Sequence, residues 1–182
     1  MQNYVLIKDK IKRFNKKIIV NGDKSLSIRW ALMASQAVGK SKAFNLLRSE
    51  DVLNTLICLK KLGIKVNLKK RYCEIIGHGL NSFKFKNNLE LNAGNSGTLG
   101  RLILALLIKS PKKIKLIGDK SLSKRDFSRV ITPLKKIGAN FYPKNKITLP
   151  IYIKGTNLLK SINYIESRGS AQCKSSVMIA AL

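Results

Sequence analysis

A chain of 182 residues with 45% hydrophobic content can build one domain with a real core, or two small units, and is not composed like a disordered protein. Its net charge of +27 admits nucleic acid, an anionic membrane surface or small anions as partners, but the excess is scattered lysine, and the aromatics, at 7%, show no stacking pattern, which disfavours a dedicated nucleic-acid module. No apolar run reaches the length of a membrane helix, the N-terminus does not read as a signal peptide, and Cys58, Cys73 and Cys173 are too widely spaced for a disulfide framework or a metal site, which fits a cytoplasmic protein.

In chain order, residues 3–8 and 17–20 read as short strands around a basic turn. Asn21-Gly22-Asp23 is turn chemistry, and Asp23 or Ser25 can cap a helix over 26–38. Lys24, Ser25 and Arg29 at that helix start form either a phosphate pocket or an ordinary capped helix with solvated charges. Residues 41–47 are a strand candidate. Ser49, Glu50 and Asp51 then open an amphipathic helix over 52–62, with Val52, Leu53, Leu56, Ile57, Leu59 and Leu62 as its apolar face and Gly63 as its stop. Strands follow at 64–68 and 72–76. Gly77-His78-Gly79 reads as a turn around the only histidine, and 89–91 as a short strand.

The stretch Asn92-Ala93-Gly94-Asn95-Ser96-Gly97-Thr98-Leu99-Gly100-Arg101 is a small, polar, glycine-punctuated loop. Asn95 and Ser96 are good N-caps for the apolar run 102–108, which reads as a buried helix. Free N–H groups, the positive end of the helix dipole and Arg101 one turn in make an anion site or simply a well-capped core helix. After a strand at 115–117, Gly118-Asp119-Lys120-Ser121-Leu122-Ser123 repeats residues 22–27 letter for letter. A helix over 126–137, with Val130, Ile131, Leu134 and Ile137 inward, ends in Leu134-Lys135-Lys136-Ile137-Gly138, echoing Leu59-Lys60-Lys61-Leu62-Gly63. Two different words at matching places imply an internal repeat of alternating helices and strands. Residues 147–154 and 162–165 are strand candidates, and Arg168-Gly169-Ser170-Ala171-Gln172-Cys173-Lys174-Ser175-Ser176 is a third small polar loop before an apolar helix, 177–182.

Taken together and in order, Gly22-Asp23-Lys24-Ser25 with Arg29, Gly94-Asn95-Ser96-Gly97-Thr98 with Arg101, residues 118 to Arg125, and Ser170-Ala171-Gln172-Cys173-Lys174-Ser175 resemble the 3-phosphoshikimate 1-carboxyvinyltransferase, or EPSP synthase, family from about residue 10 to residue 182. Members of that family are much longer, so the chain resembles an N-terminal portion, and its end inside an apolar helix fits an incomplete sequence. The resemblance implies an α/β fold of βαβαββ units repeated around a pseudo-threefold axis. Residues 1–21 would belong to a second, mostly missing domain and residues 22–182 to most of one substrate-binding domain. The implied reaction transfers the enolpyruvyl group of phosphoenolpyruvate to the 5-hydroxyl of shikimate 3-phosphate and releases phosphate, with no metal or organic cofactor, no membrane and no specific nucleic acid. The full-length enzyme would be a monomer.

Residue by residue, the resemblance assigns Lys24, Ser25, Arg29, Ser170, Ala171 and Gln172 to shikimate 3-phosphate. It assigns Lys24, Asn95, Gly97, Thr98, Arg125 and Gln172 to phosphoenolpyruvate, and Lys24 to catalysis. Arg101 and Arg129 would be structural. The acid and base would lie beyond residue 182, so the chain alone is expected to be catalytically silent. Gly97 implies sensitivity to glyphosate. The sequence departs from the family at Asp126 and Asn21, where proline is usual, and at Ile28, where histidine is common; Asp126 could pair with Arg125 and weaken its grip. The related enolpyruvyl transferase acting on UDP-N-acetylglucosamine is disfavoured by Ser25, where it has asparagine, and by the lack of cysteine between Gly118 and Arg125. A basic nucleic-acid-binding module and a non-catalytic half-domain kept for assembly are the readings from other classes.

Overall fold

The computed structural model describes Leu6, Arg13, Asn15 and residues 17–167 and 169–182. The strand expected over 3–8 therefore lies, apart from Leu6, outside the described residues, as does Arg168. The elements run α1 (Lys24–Gln36), β1 (Val38–Phe44), α2 (Glu50–Lys61), β2 (Lys65–Leu68), β3 (Tyr72–His78), β4 (Leu89–Asn92), α3 (Gly97–Leu106), β5 (Ile114–Ile117), a short 3₁₀ turn (Leu122–Lys124), α4 (Ser128–Ile137), β6 (Asn140–Tyr142), β7 (Ile151–Lys154) and α5 (Ala171–Ala180).

The repeat seen in the letters is a repeat in space. One sheet has the order β1-β3-β2 and the other β4-β5-β7-β6. β1 and β2 flank β3 antiparallel, as β5 and β6 flank β7. β4 runs parallel to β5, so α3 is the crossover of a βαβ unit and residues 89–154 complete a βαβαββ unit. The first unit has the same helices and strands from α1 onward.

Both copies of the helix-stop word end their helix in the same way. The Ile64 and Ala139 N–H groups reach back to the carbonyls of Leu59 and Leu134, each at 3.0 Å. Gly63 and Gly138 between them take φ of +88° and +127°, which side chains resist.

The core is centred on α3, which packs against α5 and α1. Leu99, Leu102, Ile103, Leu104 and Ala105 are fully buried, which is why this helix is apolar all round. α3 begins at Gly97, directly after its Ser96 cap and ahead of the apolar run at 102–108, as the cap and Arg101 one turn in implied. Glycine is a poor helix former, yet packing selects it here: a Cβ on Gly100 would lie 3.2 Å from the Phe127 ring. α5 runs Ala171–Ala180 where a helix was expected only over 177–182, and Ile179 is half-buried while Met178 and Leu182 are exposed.

Other expectations are corrected. Residues 17–20 form no strand: Ile18, Ile19 and Val20 are exposed, and a strand without a neighbour leaves its ladder groups unpaired. α1 stops at Gln36 and β1 starts at Val38, both earlier than expected. On α2 the buried face is Val52, Thr55, Leu56, Cys58, Leu59 and Leu62, whereas Leu53 and Ile57 face solvent. Gly77 and His78 belong to β3, paired with Gly39 and Val38, so His78 is a strand end and not a turn. Only Ile151–Lys154 of the 147–154 segment is strand, because Pro150 has no N–H to give a ladder. Residues 162–165 are irregular.

Candidate active site

Three helices present capped N-termini. Asp23 accepts the Leu26 N–H at 2.7 Å, Ser96 the Leu99 N–H at 3.2 Å, and Ser170 the Cys173 N–H at 3.3 Å. Each cap satisfies one orphan donor and leaves its neighbours pointing outward at the positive end of the dipole.

Side chains fix these helices side by side. Gln172 Nε2 donates to Thr98 Oγ1 at 3.0 Å, joining the first turns of α5 and α3. One turn on, Ser176 Oγ donates to the Arg101 carbonyl at 3.3 Å, so α3 and α5 run in the same direction. Arg29 of α1 reaches Ser175 of α5 at 3.4 Å, again about one turn in from both starts. The N-termini of α1, α3 and α5 thus share one end of the molecule.

Arg101 is the strut between them. Its guanidinium donates to Gln172 Oε1 at 2.9 Å, to the Gly97 carbonyl at 3.3 Å and to the Asp126 carbonyl at 3.2 Å, and it lies 5.1 Å from the centre of the Phe127 ring. Burial, helped by the like charges of Arg125 and Arg129, lowers its pKa from the ordinary arginine value. Gly97 is tight against this group: an added Cβ would sit 2.7 Å from Arg101 Nη1 and 3.3 Å from Arg125 Nη1.

Arg125 is exposed and donates to Asn95 Oδ1 at 2.9 Å. Asp126, which the sequence placed as a competitor for Arg125, does something else. Its carboxylate accepts the Ser128 N–H at 2.6 Å at the start of α4, and the Ser128 hydroxyl, with that N–H, holds its pKa below the usual carboxylate range. Among the described residues no ion pair joins it to Arg125.

A cavity of about 360 Å³ collects Arg101, Arg125, Arg129, Ser170 and Gln172 with Asp126 and Cys173. It is open and cationic. A larger cavity of about 540 Å³, beside Asn21, Arg48, Lys70 and Tyr72, holds none of the residues the sequence singled out as site residues.

The structure therefore brings Asn95, Gly97, Thr98, Arg125, Ser170 and Gln172 into one cluster, with Arg29 tied to it through Ser175. Lys24 stands on the same end, but its ammonium is 3.0 Å from the Asp51 carboxylate of α2. Ser25 enters through its carbonyl, which accepts from Arg29 at 3.3 Å. Ala171 is exposed at the first turn of α5. Two residues of the cluster escaped the sequence reading as site residues: Asp51, read only as a cap, and Asp119, which accepts from Asn95 Nδ2 at 2.7 Å. The duplicated word containing Asp119 was the signal for the second. Among the described residues no group of three or more His, Cys, Asp or Glu side chains is placed to hold a metal ion.

The family model of EPSP synthase (3-phosphoshikimate 1-carboxyvinyltransferase) matches residues 8–182. The chain belongs to the EPSP synthase family. It is 40% identical over 167 residues to the 3-phosphoshikimate 1-carboxyvinyltransferase of Lactococcus lactis subsp. lactis strain IL1403, a match covering 91% of this chain and 39% of that protein. The protein of the same name from L. lactis subsp. cremoris strain SK11 is 41% identical over 164 residues, 90% of this chain and 38% of the other. The fold is similar to the solved EPSP synthase of Acinetobacter baumannii, with a TM-score of 0.83 and 35% identity over 91% of this chain and 37% of that one. The chain thus spans well under half the length of these EPSP synthase relatives, and the repeated βαβαββ architecture is theirs.

Proposed function

We propose that this chain carries one half of an enolpyruvyl-transfer site, in which phosphoenolpyruvate is joined to the 5-hydroxyl of shikimate 3-phosphate with release of phosphate. The observation that supports it most is the convergence of three capped helix N-termini with Arg29, Arg125 and Gln172 on one open face. Two strongly anionic substrates must approach each other in such a reaction. Their mutual repulsion has to be offset by fixed cations and backbone N–H groups, and these are the groups the face offers.

In this reading Lys24, Ser25 and Arg29 on α1 and Ser170, Ala171 and Gln172 on α5 take shikimate 3-phosphate. Asn95, Gly97, Thr98 and Arg125, with Lys24 and Gln172 between the ligands, take phosphoenolpyruvate. Lys24 exchanges its partner Asp51 for substrate. Gln172 is well suited to a place between the two, because Arg101 and Thr98 already fix both ends of its amide. The same reading puts residues 1–21 with a second domain and residues 22–182 in the substrate-binding one. The exposed, strandless 17–20 segment supports that division.

Titration of the ¹⁵N-labelled chain tests this. Shikimate 3-phosphate is expected to move the backbone amides of 24–29 and 170–172, and phosphoenolpyruvate those of 95–98. Shifts confined to the opposite end of these helices, or none with either ligand, contradict it.

A further inference from the structure

The repeated word Gly-Asp-Lys-Ser-Leu-Ser allows two copies of one turn to be compared. In the first, Asp23 Oδ1 accepts the Leu26 N–H at 2.7 Å. In the second, Asp119 Oδ1 accepts the Leu122 N–H, also at 2.7 Å. The local cap is the same, although the first copy starts a long helix and the second a single 3₁₀ turn. The second copy makes one more contact, in which Asp119 Oδ2 accepts from Asn95 Nδ2 at 2.7 Å.

The loops carrying these two residues are stapled by backbone as well. Asp119 N–H donates to the Gly94 carbonyl at 2.8 Å, and Ala93 N–H to the Ile117 carbonyl at 2.9 Å. An ionised carboxylate only accepts, so it forces the donor end of the Asn95 amide toward itself. The oxygen end is thereby turned to Arg125, whose Nη2 donates to it at 2.9 Å. Without Asp119 the amide is free to present its NH₂ to the guanidinium, donor against donor.

We propose that Asp119 is a positioning residue that locks the Asn95 amide and, through it, sets the pose in which Arg125 meets the phosphoenolpyruvate anion. The inference rests on the substrate reading above. Asp119 itself touches no reacting atom; its effect passes through one amide.

The test is Asp119→Asn. Asparagine keeps the oxygen that caps Leu122, so the turn is retained, but it offers NH₂ to Asn95. Phosphoenolpyruvate affinity for the chain is expected to fall by about tenfold, the scale of one charge-assisted hydrogen bond. Shikimate 3-phosphate affinity is expected to stay unchanged. Asn95→Ala should lose at least as much, since it also removes Asn95's own contact with the anion, and adding Asp119→Asn to it should cost nothing more. Unaltered phosphoenolpyruvate affinity in Asp119→Asn, an equal loss for both ligands, or a further loss in the double variant overturns the proposal. A ligand-free readout separates this from the substrate reading. Asp119→Asn should move the side-chain ¹⁵N resonances of Asn95 and Arg125. If they stay in place, the positioning claim fails. If they move and the unaltered chain binds no phosphoenolpyruvate, the positioning of Arg125 stands and its assignment to that anion is overturned.

Discussion

Arg101 turns its guanidinium inward, onto Gln172, two backbone carbonyls and the Phe127 face, so its role is to hold α3 and α5 together. Replacing it with alanine strips a half-buried set of charge-assisted hydrogen bonds and leaves Gln172 Oε1 without this donor. Arg101→Ala is expected to lower unfolding free energy by about 2–3 kcal/mol in urea titration. Arg101→Lys should recover only part of that, because an ammonium cannot reproduce the planar fork. A loss under about 0.5 kcal/mol, the level of an indifferent surface site, would show that the strut is idle. The same crowding makes Gly97 sensitive. Gly97→Ala forces Arg101 and Arg125 to give way, and phosphoenolpyruvate binding should weaken more than shikimate 3-phosphate binding in parallel titrations. At this scale the sequence was legible where chemistry is local. Asp23 and Ser96 cap as their residue types predict, whereas Ser170, read as loop, caps a helix that starts six residues before the apolar run. What it hid is lateral: Asn95 is as good a cap as Ser96 on paper, and only the fold turns it toward Asp119 and Arg125.

Helix stops and strand pairing behave as units. Gly63 combines a φ of +88° with a Cβ direction that meets the Lys84 carbonyl at 2.4 Å. Gly63→Ala should therefore cost more than the roughly 1 kcal/mol of an ordinary left-handed glycine, read as a lowered urea midpoint at unchanged slope. Glu74 of β3 ties its sheet together, accepting from Asn67 of β2 at 3.3 Å and lying 3.6 and 3.8 Å from Lys40 and Lys42 of β1. The Asn67 hydrogen bond, with help from the two lysines, holds its pKa below the ordinary glutamate value. A folded pKa below the unfolded one gives stability that is complete above the unfolded value and is lost as pH falls through the folded one. Acid unfolding curves of Glu74→Gln should lose part of that pH dependence below about pH 4.5, while their neutral-pH limb keeps its slope. Identical acid limbs would show that this contact contributes nothing to the pH dependence. The element pattern was readable in sequence because periodicity and glycine stops are local signals. The exposed Leu53 and Ile57 were not, since an amphipathic stripe shows where a helix is apolar and not which part of the stripe a neighbour covers. Thr55 takes a buried place by donating its hydroxyl to the Asp51 carbonyl at 2.9 Å.

For the whole molecule, the repeat in the letters predicted the repeat in the sheets. All three cysteines are buried, and burial pushes the Cys58 thiol up to about 11 and the Cys73 thiol above its ordinary value. The native chain should resist a thiol-specific reagent at neutral pH, and denaturant should release all three groups. Rapid labelling without denaturant would show that the core is not closed. Above all, the face built by α1, α3 and α5 is proposed to recognise shikimate 3-phosphate in particular and not merely to attract anions. The decisive experiment is isothermal titration of the chain with shikimate 3-phosphate, shikimate and UDP-N-acetylglucosamine, repeated with Arg29→Ala. Saturable binding of shikimate 3-phosphate to one site is expected, weaker in Arg29→Ala by about tenfold, with little or no heat from the other two. Binding of UDP-N-acetylglucosamine in its place, or shikimate 3-phosphate binding that Arg29→Ala leaves untouched, would refute that recognition.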